Sequence, residues 1–115
     1  MYCNYEGKLT NALKVEGDVG ADPIWCNQCG GNLDLEDTPI TKSLKSELLE
    51  WATQYGLWID WDQDTLLSNG IEMERKHNEQ GAILTEKLLK ELAANYKILF
   101  IPSRMASIYG KIVKD

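Results

Sequence analysis

The chain has 115 residues, 43% hydrophobic and 26% charged, the composition of a soluble globular domain. That length suffices for one modest core and not for two, so a single domain over residues 1–115 is expected. Twelve bases against eighteen acids leave a net charge of -6, which argues against broad contact with phosphate backbones. Three cysteines, an odd number, exclude a complete disulfide framework.

The opening Met1-Tyr2-Cys3-Asn4-Tyr5-Glu6 has no basic stretch leading into an apolar run. The longest apolar run, Ile98-Leu99-Phe100-Ile101, falls far short of the ~20 residues of a membrane span. A cytoplasmic protein with no membrane partner is the expectation, and Cys26-Asn27-Gln28-Cys29 suits such a reducing compartment.

Residues 1–40 hold two bases and seven acids, a net of -5, while residues 41–115 are nearly balanced at -1. Glycine clusters early and helical periodicity is absent there, so residues 1–38 read as turns and short strands. Pro39 marks the junction to a helical segment, 39–115. Thr41 is a candidate N-cap and Gly56 a candidate stop for a first helix, whose stripe is Leu44, Leu48, Trp51, Ala52 and Tyr55. Leu57-Trp58-Ile59 reads as a short strand. A second helix is expected after Asn69, with Glu72 at capping-box spacing. Met73, His77, Gly81, Leu84, Leu88 and Leu92 line one of its faces as far as Asn95. Gly81 costs about 1 kcal/mol against alanine in a helix, which predicts close approach of another element. Tyr96 to Ile101, ended by Pro102, reads as a strand, and Ile108 to Val113 as a second strand or a frayed tail. The fold class is α+β: a β segment, two helices and a small sheet.

A small repeat stands out. Cys3-Asn4-Tyr5-Glu6-Gly7 echoes Cys26-Asn27-Gln28-Cys29-Gly30, with Glu6 where the second copy has Cys29. Over about residues 2–35 this arrangement resembles a zinc ribbon or rubredoxin-like knuckle, with Trp25 as its packing residue. The resemblance implies a structural Zn2+ held by Cys3, Glu6, Cys26 and Cys29. Asp18, Asp22, His77 or water are alternative fourth ligands, and a ribbon that has lost its metal is the remaining alternative. Closed structural zinc sites usually hold cysteine and histidine, so Glu6 departs from the pattern. Beyond the ribbon, the run from Cys26 through Asp34-Leu35-Glu36-Asp37-Thr38-Pro39-Ile40-Thr41 to Trp51, Tyr55 and Asp60-Trp61-Asp62 is similar to small bacterial proteins. Those pair a cysteine knuckle with a short helical domain.

Other patterns fail their chemistry. A zinc deaminase needs glutamate two residues after its first ligand and proline directly before its cysteine pair. Here Glu6 follows Cys3 by three, and Pro23 precedes Cys26 by three. Asp60, Asp62 and Asp64 have calcium-loop spacing, but the loop then needs glycine and glutamate where the chain has Thr65 and Ile71. His77, the sole histidine, sits on an apolar stripe and reads as a core-edge residue. Trp58 and Trp61 either roof the core or, with Asp60 and Asp62, form an aromatic–acidic contact patch. The expectation is a non-enzymatic protein-interaction or regulatory module whose partner is another protein. A nucleic-acid-associated ribbon and a small metalloenzyme with Glu6 as base are the alternatives.

Overall fold

A computed structural model describes residues 2–3, 8–92, 95–106 and 108, with backbone alone at 2, 3, 8 and 9. Strand β1 (Tyr2–Cys3) pairs antiparallel with β2 (Lys8–Leu9). Strands β3 (Ala12–Glu16) and β4 (Ile24–Cys26) precede helix α1 (Lys42–Thr53). Strands β5 (Ile59–Asp60) and β6 (Thr65–Leu66) form a short hairpin, followed by helix α2 (Gly70–Glu91) and strand β7 (Lys97–Ile101). The architecture is α+β, as the sequence leads one to expect.

The principal sheet has the order β4-β3-β7. Strand β3 runs antiparallel to β4, with Leu13 opposite Cys26 and Val15 opposite Ile24. It runs parallel to β7, from Ala12 opposite Lys97 to Glu16 opposite Ile101. Alternation along β3 turns Leu13 and Val15 fully inward. Lys14 faces the other way, in an ion pair with Glu16 at 3.1 Å and over the Trp25 ring at 5.9 Å. Both helices cover the inner face, where Leu44, Leu48 and Trp51 of α1 meet Leu84 and Leu88 of α2. A second cluster joins Trp58 and Ile59 to Ala106, with Tyr55, Leu66 and Met73 against it.

This sheet corrects the zinc-ribbon expectation. A ribbon closes on itself around its metal, but the strand carrying Cys26 belongs to a sheet whose far edge comes from residues 97–101. Cys26 is fully buried within the main hydrophobic core. Cys3 lies on β1 opposite Lys8, and its side chain and all of Glu6 lie outside the described residues.

Thr41 caps α1 as expected, its hydroxyl accepting from the Leu44 amide at 3.2 Å. Glu91 of α2 accepts from the Thr41 amide and hydroxyl at 2.7 and 2.9 Å, tying the start of one helix to the end of the other. Helix α1 stops at Thr53, and the chain turns through Gly56 in the left-handed region, φ 84°. Asn69 makes no side-chain cap, so the capping-box expectation fails. The close neighbours of Gly70 include the Leu66 side chain and the Trp58 carbonyl. The predicted strand at 57–59 begins two residues later. The predicted strand from Ile108 falls mostly outside the described residues, and the Ile108 amide donates to the Arg104 carbonyl at 3.1 Å, a helical turn.

Gly81 meets its expectation. A Cβ there would stand 2.6 Å from Phe100 Cζ and 2.8 Å from Trp51 Cζ2. Two rigid rings leave no room, and overpacking of this kind costs about 1–3 kcal/mol. Gly81→Ala is therefore expected to lower stability by about 1–2 kcal/mol, despite alanine's helix advantage of about 1 kcal/mol. Urea denaturation measures it; a stabilised variant would show that the rings step aside.

Candidate functional site

The cysteine turn is built as a knuckle even though the fold is not a ribbon. The Cys26 amide donates to the Gly31 carbonyl at 2.8 Å and the Gly30 amide to the Cys26 carbonyl at 2.9 Å. Gly30 takes φ 78°, and the Gly31 amide points at Cys29 Sγ from 3.4 Å. Burial pushes the Cys26 thiol up, but hydrogen bonds with the Thr10 hydroxyl, the Cys29 and Gln28 backbone and the Cys29 side chain together bring it down to about 7. Cys29 is half-buried.

The alternative zinc ligands are otherwise engaged. Asp22 accepts from the Leu35 amide at 2.8 Å and Asp18 from the Val19 amide at 2.8 Å. His77 points its Nε2 at the Trp51 carbonyl. Among the described residues no three histidine, cysteine or acidic side chains gather as a metal site.

His77 is the centre of a clasp between the helices. Its Nε2 lies 3.0 Å from the Trp51 carbonyl oxygen, and Trp51 Nε1 donates back to the His77 carbonyl at 2.8 Å. The two rings stack at 4.4 Å with 9° between planes. Since a carbonyl only accepts, Nε2 carries the proton. Burial pushes the His77 imidazole below its usual range, and the Trp51 hydrogen bond and the Glu74 charge offset only part of that. The ring is therefore neutral at pH 7, and its Nδ1 is a bare acceptor. Among the described residues, buried Nδ1 has no hydrogen-bond partner, and neither has buried Trp58 Nε1, whose ring lies 5.0 Å from that of His77.

Trp58 and His77 line a cleft of about 310 Å³ between α2 and the turn after α1. Leu57 and Met73 add apolar wall, and Gln54, Lys76 and Gln80 complete it.

Next to the cleft stands the β5–β6 hairpin. Asp60 Oδ1 accepts from the Asp62 and Gln63 amides, both at 3.1 Å, and so shapes the turn, while Asp64 takes φ 52°. Trp61 rests on Gly56, donating from Nε1 to its carbonyl at 3.1 Å, yet remains 54% exposed. Leu57 is exposed beside it. The four residues of the expected patch thus divide: Trp58 lies inside, Asp60 holds the turn, and Trp61 and Asp62 face outward.

A buried carboxylate escaped the sequence reading. Glu74 accepts from the Ser103 hydroxyl at 2.7 Å and the Ala106 amide at 2.9 Å, while Asn78 exchanges hydrogen bonds with the Ser103 backbone. These bonds pin the segment after β7 onto α2. A glutamate one turn before a histidine on a helix is the only trace in the sequence.

The His77 shift makes stability depend on pH. Protons bind the unfolded chain more readily than the folded one, so this contribution is complete well above pH 6.5 and is lost as pH falls from about that value through the lower pKa of the folded chain. The denaturation midpoint should be higher near pH 7.5 than near pH 5.5, and His77→Phe should shrink that difference. An undiminished difference in the variant would assign the effect elsewhere.

No protein in a comparison with curated proteins matches the chain. The family model described as Serratia CdiI immunity protein-like matches residues 11–103, from the start of the main sheet to the Ser103 anchor. That match covers both helices and the whole β4-β3-β7 sheet, and it replaces the zinc-ribbon assignment. The chain belongs to the Serratia CdiI immunity protein-like family.

Proposed function

We propose that this protein is an immunity protein that neutralises a toxin by binding it, without catalysis. The family match over residues 11–103 carries the reading. The chain acts as a single unit, because β7 completes the sheet begun by β3. It acts in the cytoplasm, where Cys26 and Cys29 stay reduced. The nucleic-acid alternative rested on the ribbon and loses its premise with it.

The contact surface is the β5–β6 hairpin. Trp61 is a large exposed aromatic already held by a hydrogen bond to Gly56, so little side-chain freedom is lost on binding. Asp62 projects beside it, with Asp60 behind and Trp58 in support. This chemistry calls for a toxin surface with a basic rim around an apolar pocket. A toxin with an acidic surface would be repelled.

Co-expression with the toxin of the same strain should restore growth, and titration calorimetry should give the affinity. Trp61→Ala is expected to weaken binding by about 2 kcal/mol, roughly thirtyfold, as for a buried aromatic anchor. Asp62→Lys should slow association, with a reduced dependence on salt. Circular dichroism of both variants controls for folding. Wild-type affinity and rates in both would move the interface elsewhere.

A further inference from the structure

We infer that the cleft beside the hairpin receives a tyrosine side chain of the toxin, an inference that rests on the toxin-binding reading above. Trp58 and His77, which line this cleft, each carry a buried polar atom, Nε1 and Nδ1, with no hydrogen-bond partner among the described residues. Buried polar groups left unpaired are costly, and each one asks for an explanation. Here the two are complementary. Trp58 Nε1 can only donate. His77 Nδ1 can only accept, because Nε2 holds the proton against the Trp51 carbonyl.

A single group that serves both must accept from one and donate to the other. A carboxylate has no proton for Nδ1, and an ammonium or guanidinium has no lone pair for the indole N–H. A hydroxyl has both. The remaining walls select which hydroxyl. Leu57, Met73 and the Trp58 ring are apolar, and about 310 Å³ accommodates an aromatic ring rather than a serine or threonine side chain. A phenol combines the ring with the hydroxyl, and tyrosine is a residue favoured at interfaces for this combination.

The position agrees. Leu57, which walls the cleft, is 57% exposed and adjoins Gly56, on which Trp61 rests. The cleft therefore continues the surface assigned to the toxin. Both polar atoms have essentially no exposed area, so a ligand must open the floor to reach them. Met73, Lys76 and Gln80 are unbranched side chains that yield by rotamer changes.

The test uses p-cresol, the tyrosine side chain as a free molecule, against toluene, which has the ring without the hydroxyl. Titration of the whole chain is followed through the indole N–H resonances, that of Trp58 being identified by its loss in Trp58→Phe. p-Cresol should bind about fivefold or more tightly than toluene and shift the Trp58 indole proton downfield. In Trp58→Phe, which keeps an aromatic ring but removes the donor, the preference should fall. Equal binding of the two ligands, or saturable binding of neither, overturns the inference. So does a buried water bridging the pair that p-cresol does not displace. Lost p-cresol selectivity with toxin binding intact sinks the tyrosine pocket alone. A chain that selects p-cresol but binds no toxin sinks the toxin reading, and the tyrosine as occupant with it.

Discussion

Parallel pairing of β3 with β7 sets the terms for everything else in this protein. Parallel neighbours cannot be joined by a tight turn, so the chain after residue 16 runs back along the sheet as β4, then leaves it and returns at residue 97 beside the start of β3. Both helices lie in that excursion, and both pack on the face where Leu13 and Val15 point. Burying each of those two side chains contributes about 1.5–3 kcal/mol, and it requires the helices to be in place. The core thus forms from pieces far apart in sequence. Neither the first forty residues nor the remainder could assemble it alone.

Within that frame the stacked pair of Trp51 and His77 decides where the surface features fall. The Trp51 carbonyl lies in the last turn of α1, where the Gln54 amide donates to it at 3.2 Å and leaves its second lone pair open. His77 takes it up, and the Trp51 indole returns a hydrogen bond to the middle of α2. The end of α1 is fixed against α2, so the turn through Gly56 and the hairpin after it emerge at a set angle. The neutral form of His77 is part of the fastening, since a second proton would have to sit at a buried Nδ1. One aromatic contact therefore orients Trp61 without touching it.

The helices were legible because their signals are local. Apolar residues three and four apart marked α1 and α2, the Thr41 cap was visible, and Gly81 announced a close neighbour before Phe100 and Trp51 could be named. The sheet was not legible, since nothing in residues 12–16 says that their partner lies at 97–101. The cysteine repeat misled for a related reason. Cys-x-x-Cys-Gly encodes a tight turn with a left-handed glycine, and Gly30 supplies that turn whether or not a metal is bound. The motif reported local backbone shape correctly and said nothing about the fold around it. Glu74 was hidden because its partners, Ser103 and Ala106, are remote in sequence, and the capping glutamate Glu91 for the same reason.

The acidity of the first forty residues acquires a structural meaning as well. Asp18, Asp22 and Asp34 each accept a backbone amide in the loops around β4. Short aspartates are suited to that work because their carboxylates reach amides one or two residues away. Asp22 reaches further, to Leu35, and so closes the loop across Asn32, which donates back to the Asp22 carbonyl at 2.7 Å. Much of the excess negative charge in this segment is therefore bound to turns. Asp60 does the same in the hairpin, whereas the Asp62 carboxylate has no hydrogen bond or ion pair among the described residues. Charge that is already hydrogen-bonded at home contributes a field but little specific contact. Asp62 keeps its acceptors open, as the exposed Glu36 and Asp37 do in the acidic segment, but of these three it alone is next in sequence to an exposed tryptophan.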